Sequence, residues 1–174
     1  MSLTAPKPPQ SDLLVFTDLD GTLLDHDTYD WTPARPALDR LGTLGIPVIP
    51  VSSKTRAEIE PFCAELRLHH GFVAENGAVL QIGTGPAQIL GPGYQRLRAI
   101  LESLRSIHDW HFLGFGDMDV EQAQEHTGLP PEAAARALQR QATEPLLWQD
   151  SDENMHQFRA ELGRQDLRLL QGGR

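Results

Sequence analysis

Cysteine is all but missing. Cys63 is the only one in 174 residues, which excludes an intrachain disulfide and a zinc site built on thiolates. Positive charge is scarce as well: 15 Lys and Arg face 24 Asp and Glu, for a formal net charge of -9. A chain this acidic lacks the clustered cations that grip nucleic acid, so no nucleic-acid partner is expected. An anionic ligand would need positive charge gathered locally. Long apolar runs are absent too, and none approaches the ~20 residues of a membrane helix, so no membrane partner is expected. Residues 1–11 hold three prolines and no apolar stretch of the signal-peptide kind, and read as a disordered tail. The cytoplasm is the location these absences leave by default.

What remains, 40% hydrophobic and 22% charged, suits an ordinary globular protein of one domain or two small ones. Its organising stretch is the apolar run 13–16 followed by Thr17-Asp18-Leu19-Asp20-Gly21-Thr22. Four apolar residues without alternation predict a strand buried on both faces, as in a parallel α/β sheet. Asp18 and Asp20 then fall at its carboxyl end, where open α/β sheets place their ligands. Gly21 permits a sharp turn. A carboxylate there can attack a phosphoryl group, and a second one can carry protons for the leaving group and water.

Downstream, Thr32-Pro33 has the types that open a helix, with Ala37, Leu38, Leu41 and Leu44 at helical spacing. A second strand is predicted over 46–51, although Pro50 fits a central strand poorly. Ser52-Ser53-Lys54 closes it, and Thr55 with Glu58 forms a capping-box pattern for the next helix. A hydroxyl, an ammonium and a helix start at one strand end make a favourable phosphate setting. Asn76-Gly77 between two apolar runs predicts a hairpin. Gly83 to Gly93, with four Gly and two Pro in eleven residues, is the expected domain boundary. Beyond it, Leu97, Ile100, Leu101, Leu104 and Ile107 mark one face of a helix over 94–107. A strand near 111–115, a helix from Pro131 through Leu138, a strand over 145–148, a helix over 152–162 and a last strand over 167–170 complete the pattern.

Asp-Leu-Asp-Gly-Thr-Leu-Leu after an apolar strand resembles the first motif of the haloacid dehalogenase (HAD) superfamily, most of whose members are Mg-dependent phosphatases. Strand-Ser52-Ser53-Lys54 resembles its second motif, and Glu75-Asn76-Gly77-Ala78 resembles the subclass whose α/β cap follows that motif. Three later segments, Gly114 to Met118, Thr127 to Leu129 and Arg140 to Pro145, together resemble the cap of mannosyl-3-phosphoglycerate phosphatases. The fold so implied is α/β, the N-terminal half of a HAD-like Rossmannoid core over 12–82 with an inserted α/β cap domain over 83–174.

The resemblance implies a phosphatase that hydrolyses a small phosphorylated sugar acid, mannosyl-3-phosphoglycerate first, through an aspartyl-phosphate on Asp18. Mg would be the cofactor, held by Asp18 and Asp20. Gly21, Thr22, Ser52, Ser53 and Lys54 would bind the phosphate. Glu75, Asn76, Gly77, Arg140, Thr143, Glu144, Gly172, Gly173 and Arg174 would contact the rest of the substrate. The Lys and acidic loop that the family carries after its cap do not occur within these 174 residues. Two expectations follow: weak Mg binding on two protein ligands, and an apolar strand edge over 13–16 that a second copy, as a homodimer, or further chain would cover. The alternative reading is a non-catalytic module that holds a phosphorylated ligand.

Overall fold

Parallel pairing of two short strands sets the acidic motif at the mouth of the fold. The structure, a computed structural model, describes residues 12–25 and 28–171. The expected tail over 1–11, and Gly172, Gly173 and Arg174, lie outside the described residues. Strand β1 (Val15–Thr17) pairs in parallel with β2 (Val48–Pro50), with Val15 opposite Val48 and Thr17 opposite Pro50. On its other side β2 meets β3 (Gly71–Ala74) through a single parallel bridge, Val51 to Val73, with the Ser52 N–H donating to the Val73 carbonyl at 2.9 Å. Pro50 explains the brevity. Residues two apart point their N–H groups the same way, so Pro50 stands where the preceding donor toward β3 should be and has none. Antiparallel β4 (Val79–Ile82) and β5 (Gln88–Ile89) extend β3, so β5 lies inside the glycine-rich stretch expected to separate two domains.

The apolar run 13–16 is not buried on both faces. Leu13, Leu14 and Phe16 are exposed, because β1 has only β2 as a strand neighbour among the described residues. The core instead lies around Leu19, Leu23 and Leu24 of the loop after β1, Phe72, Ala74 and Val79 of the hairpin, and Ile59 and Cys63 of helix α2 (Arg56–Glu65). Pro61 sits within α2 without ending it. The Thr55 box forms as the sequence predicts: its hydroxyl accepts from the Glu58 N–H, and Glu58 accepts from the Thr55 N–H at 2.8 Å. Thr32 does not cap. It starts a 3₁₀ turn (Thr32–Ala34) and bonds Asp30, and helix α1 (Arg35–Thr43) begins after it with no buried residue.

The second half is built on helix α3 (Tyr94–His108) and the antiparallel pair β6 (Phe112–Gly114) and β7 (Leu146–Trp148). Leu97, Leu101 and Leu104 meet Trp110, Phe112 and the fully buried Phe158 of helix α6 (Asp152–Arg164). The Phe112 and Trp148 rings stack with centroids 6.1 Å apart. Ile107 departs from the expected face and is exposed. Between the strands lie α4 (Val120–Thr127), unforeseen although Asp119 and Gln122 form its capping box, and α5 (Pro131–Ala137). Residues 167–170 form no strand: Leu167 and Leu169 rest against the apolar cluster, and no ladder joins them to a strand among the described residues.

Candidate active site

Because β1 and β2 are parallel, the loops leaving their carboxyl ends are neighbours. The first carries Asp18 and Asp20, the second Ser52, Ser53 and Lys54. Leu19, 1% exposed, pins the first loop, and the N–H groups of Thr22, Leu23 and Leu24 all turn back to its carbonyl. That leaves Asp18 exposed, with Oδ1 accepting from the Leu19 N–H at 2.8 Å. Asp20 points its Oδ2 at Lys54 Nζ, 3.0 Å away, while its Oδ1 is buried with no partner among the described residues. The Lys54 ammonium also lies 5.5 Å from the centre of the Tyr29 ring. Ser52 is buried, its hydroxyl accepting from the Lys54 N–H.

The hairpin turn after β3 is stitched to this second loop. Glu75 N–H donates to the Lys54 carbonyl and Asn76 N–H to the Ser52 carbonyl. Glu75, Asn76 and Gly77 all have positive φ, 50°, 56° and 96°. Left-handed backbone at the two non-glycine residues costs of order 1–3 kcal/mol each, so the surroundings must enforce it. They do so through the Glu75 carboxylate, which is fully buried and accepts from the N–H groups of Gln141, Ala142 and Thr143 at 2.8, 3.0 and 2.8 Å, and from the Thr143 hydroxyl at 2.8 Å. Arg140, just before, donates from Nη1 to the Ser53 carbonyl at 2.9 Å and from Nε to the Ala137 carbonyl at 3.0 Å. Its guanidinium lies 5.6 Å from the Phe115 ring centre, and burial pulls its pKa down from the usual arginine value.

Glu144 belongs to an ionic lattice in the second half. Its carboxylate, 1% exposed, accepts from Tyr94 Oη at 2.7 Å, Arg98 Nη1 at 2.8 Å and the Gly116 N–H at 2.8 Å. Arg98 also pairs with Asp117, which Arg105 and the Gly114 N–H bind as well. Burial alone would raise the Asp117 pKa; the hydrogen bonds from Arg98 and Arg105 outweigh it and hold the carboxyl well below the usual range. Burial and the bond to Glu144 push the Tyr94 hydroxyl far up. Glycine is required at two places here. A Cβ on Gly114 would strike the Glu144 carboxylate, and one on Gly116 would lie 2.6 Å from Tyr94 Oη and 2.7 Å from Arg98 Nε. Sequence reasoning missed Tyr94, Arg98 and Arg105; the available signal was two arginines seven apart on one helix, facing an acidic Gly-rich turn.

A cleft of about 980 Å³ opens between these parts. Asp18, Ser52, Ser53, Asn76, Arg140, Thr143 and Glu144 line it, together with Phe16, Phe115 and Leu170. Arg140 is the one cation of that lining among the described residues. Asp20, Gly21, Thr22, Lys54, Glu75 and Gly77 are not part of it, and Glu75 in particular has its carboxylate turned to the 141–143 backbone. No three His, Cys, Asp or Glu side chains converge into a metal cluster among the described residues. The Asp18 carboxylate and Asp20 carbonyl are nevertheless hard oxygen donors of the kind Mg accepts, and Mg commonly keeps waters beside one or two protein ligands and a phosphate. No helix of the described residues is long and apolar enough to cross a membrane.

A parallel strand pair, one strand followed by two acids and the other by a buried hydroxyl, with a cleft beside both strand ends, defines an α/β protein. The sequence pattern of haloacid dehalogenase-like hydrolases matches residues 15–117, and the chain belongs to that family. Its fold is similar to that of the Thermoplasma acidophilum 0175 protein (TM-score 0.62, 16% identity, covering 92% of this chain and 61% of that one). A haloacid dehalogenase-like hydrolase from Bacteroides thetaiotaomicron is similar as well (0.58, 17%, 92% and 68%). So is BT1666 of the same organism, from a study of HAD phosphatases (0.52, 18%, 75% and 52%). The chain thus spans about three fifths of the Thermoplasma protein and half of BT1666.

Proposed function

We propose that the chain carries the nucleophile and the cap-side wall of a phosphatase acting on a small phosphorylated sugar acid, with mannosyl-3-phosphoglycerate the first substrate to test. The observation that carries this reading is Asp18, exposed at the end of β1 and lining the same cleft as buried Ser52 and Arg140. In the reading, Asp18 attacks phosphorus, the bond to the leaving oxygen breaks, and an aspartyl-phosphate forms. Asp20 supplies the proton that the leaving alkoxide takes, then removes one from the water that attacks phosphorus and frees phosphate. Ser52 orients a phosphoryl oxygen. Asp18 and the Asp20 carbonyl would hold Mg, which when bound lessens the repulsion between nucleophile and phosphate.

A Mg-dependent assay on p-nitrophenyl phosphate and on sugar phosphates, beside calorimetry with Mg, tests the reading. We expect Mg to bind far more weakly than to a site with several carboxylates, and turnover by these 174 residues to be slow in proportion. Phosphate ester binding without any Mg-stimulated hydrolysis would favour the non-catalytic module.

Lys54→Ala separates a phosphate role from a structural one. The pair with Asp20 is 23% and 38% exposed on its two sides, so its loss should cost no more than about 1 kcal/mol of stability. Affinity for inorganic phosphate should fall by roughly tenfold or more, the size of a lost charge-assisted bond. A large drop in Tm with unchanged phosphate affinity would reverse that assignment.

A further inference from the structure

Glu75 stands out because its chemistry is spent inside the protein. It is a fully buried carboxylate on a left-handed turn, and it accepts from every backbone N–H of residues 141–143 and from the Thr143 hydroxyl. A carboxylate with four donors is saturated and has nothing left for a substrate. Both ends of the connection reach the cleft. Asn76, the next residue, lines it, and so do Arg140 and Thr143, which bracket the captured amides. Ala142, between them, is buried in the apolar cluster of the first half of the chain. Arg140 then lays its guanidinium across the Ser53 carbonyl, beside Ser52. Among the described residues Arg140 is bonded through Nε and Nη1, to the Ala137 and Ser53 carbonyls and, at 3.3 Å, to the Thr143 hydroxyl.

We propose that Glu75 is a positioning residue: by holding the 141–143 amides it fixes Arg140 and Thr143 against the Ser52–Ser53 loop and so shapes the wall that faces the substrate of the proposed phosphatase. The inference rests on that reading for the identity of the substrate, and on geometry alone for the placement of Arg140. A purely structural carboxylate would support the whole fold; a positioning one supports this wall.

Three measurements on the wild-type chain and Glu75→Gln test it. Amide hydrogen exchange of Gln141, Ala142 and Thr143 should be slow in the wild type and roughly tenfold to a hundredfold faster in the variant, with α3 and α6 unchanged. Labelling of Arg140 by phenylglyoxal, read by peptide mass, should rise severalfold while labelling of Arg35 stays the same. Affinity for inorganic phosphate should fall severalfold in the variant, because Arg140, which lines the cleft beside Ser52 and Ser53, is no longer held there. Unprotected amides at 141–143 in the wild type, or Arg140 labelling that the variant leaves unchanged, would overturn the inference. Wild-type protein that binds no phosphate would overturn the phosphatase reading and leave the Arg140 labelling to decide the placement. Should Glu75→Gln not fold, Thr143→Val removes the hydroxyl that donates to Glu75 and accepts from Arg140 Nη1 at 3.3 Å. Amide exchange at Gln141 and Ala142, rather than Arg140 labelling, is then read; it should change less and with the same sign, and unchanged exchange would overturn the inference.

Discussion

Asp18→Asn will show no turnover of p-nitrophenyl phosphate above background and will unfold at the wild-type temperature. The amide is isosteric with the carboxylate but is not a nucleophile toward phosphorus, and removal of a nucleophile typically costs three orders of magnitude or more. Stability should be indifferent. Asp18 is exposed, and its side chain accepts from the Leu19 N–H through an oxygen that Asn also presents. The loop is held by Leu19 and its carbonyl, neither of which changes. Phosphoenzyme trapped by acid quench should vanish in parallel with turnover. Wild-type rates in the variant would remove Asp18 from the chemistry, and a fall in Tm would assign it to the loop.

Arg98→Ala will be the most destabilising single change. It strips Glu144 of its cation while leaving that carboxylate 1% exposed, and it takes from Asp117 one of two guanidinium partners. Breaking a buried pair from one side costs about 3–5 kcal/mol because the remaining charge stays desolvated. For a chain of this size that is roughly 10 °C in Tm, measurable by calorimetry. The same lattice sets an acid limit. Asp117 has a folded pKa below its unfolded value near 4, so its contribution is complete above that pH and is lost as pH falls through the folded value. Unfolding free energy should therefore decline on acidification below about pH 4, and less steeply in Arg98→Ala, where the carboxyl is no longer held down. An Arg98→Ala protein as stable as wild type would mean that Glu144 is satisfied by Tyr94 and Gly116 alone.

Much of the fold could be read residue by residue because its signals are local. The Thr55–Glu58 box, the Asn76-Gly77 turn and the spacing of Leu97, Leu101 and Leu104 each act within a few residues, and each forms as the pattern predicts. The same holds for the acids that end β1 and the serines that follow β2. What failed was long-range. The apolar run 13–16 implied a layer on either side, but burial depends on neighbouring strands that a run of Leu and Val does not encode. Residues 167–170 have strand composition but pack through Leu167 and Leu169 against the second apolar cluster without a ladder. Ile107 has the period of its helix but is exposed and outside the apolar cluster that the helix joins. Glu75 is the sharpest case, since nothing around position 75 shows that its partners are amides at 141–143.

Pro50 has a consequence for the order in which the sheet assembles. Its missing donor leaves β2 and β3 joined by one bridge, so the core sheet consists of a parallel pair on one side of a seam and a hairpin ribbon on the other. The hairpin closes over residues 75–78, whereas β1 and β2 must find each other across residues 18–47, and closing the longer loop costs more entropy. Local contacts are made first in such chains. With one ladder bridge across the seam, and the Glu75 and Asn76 amides meeting the loop after β2, the ribbon can form before the parallel pair exists and serve as the edge on which the end carrying Ser52 is set.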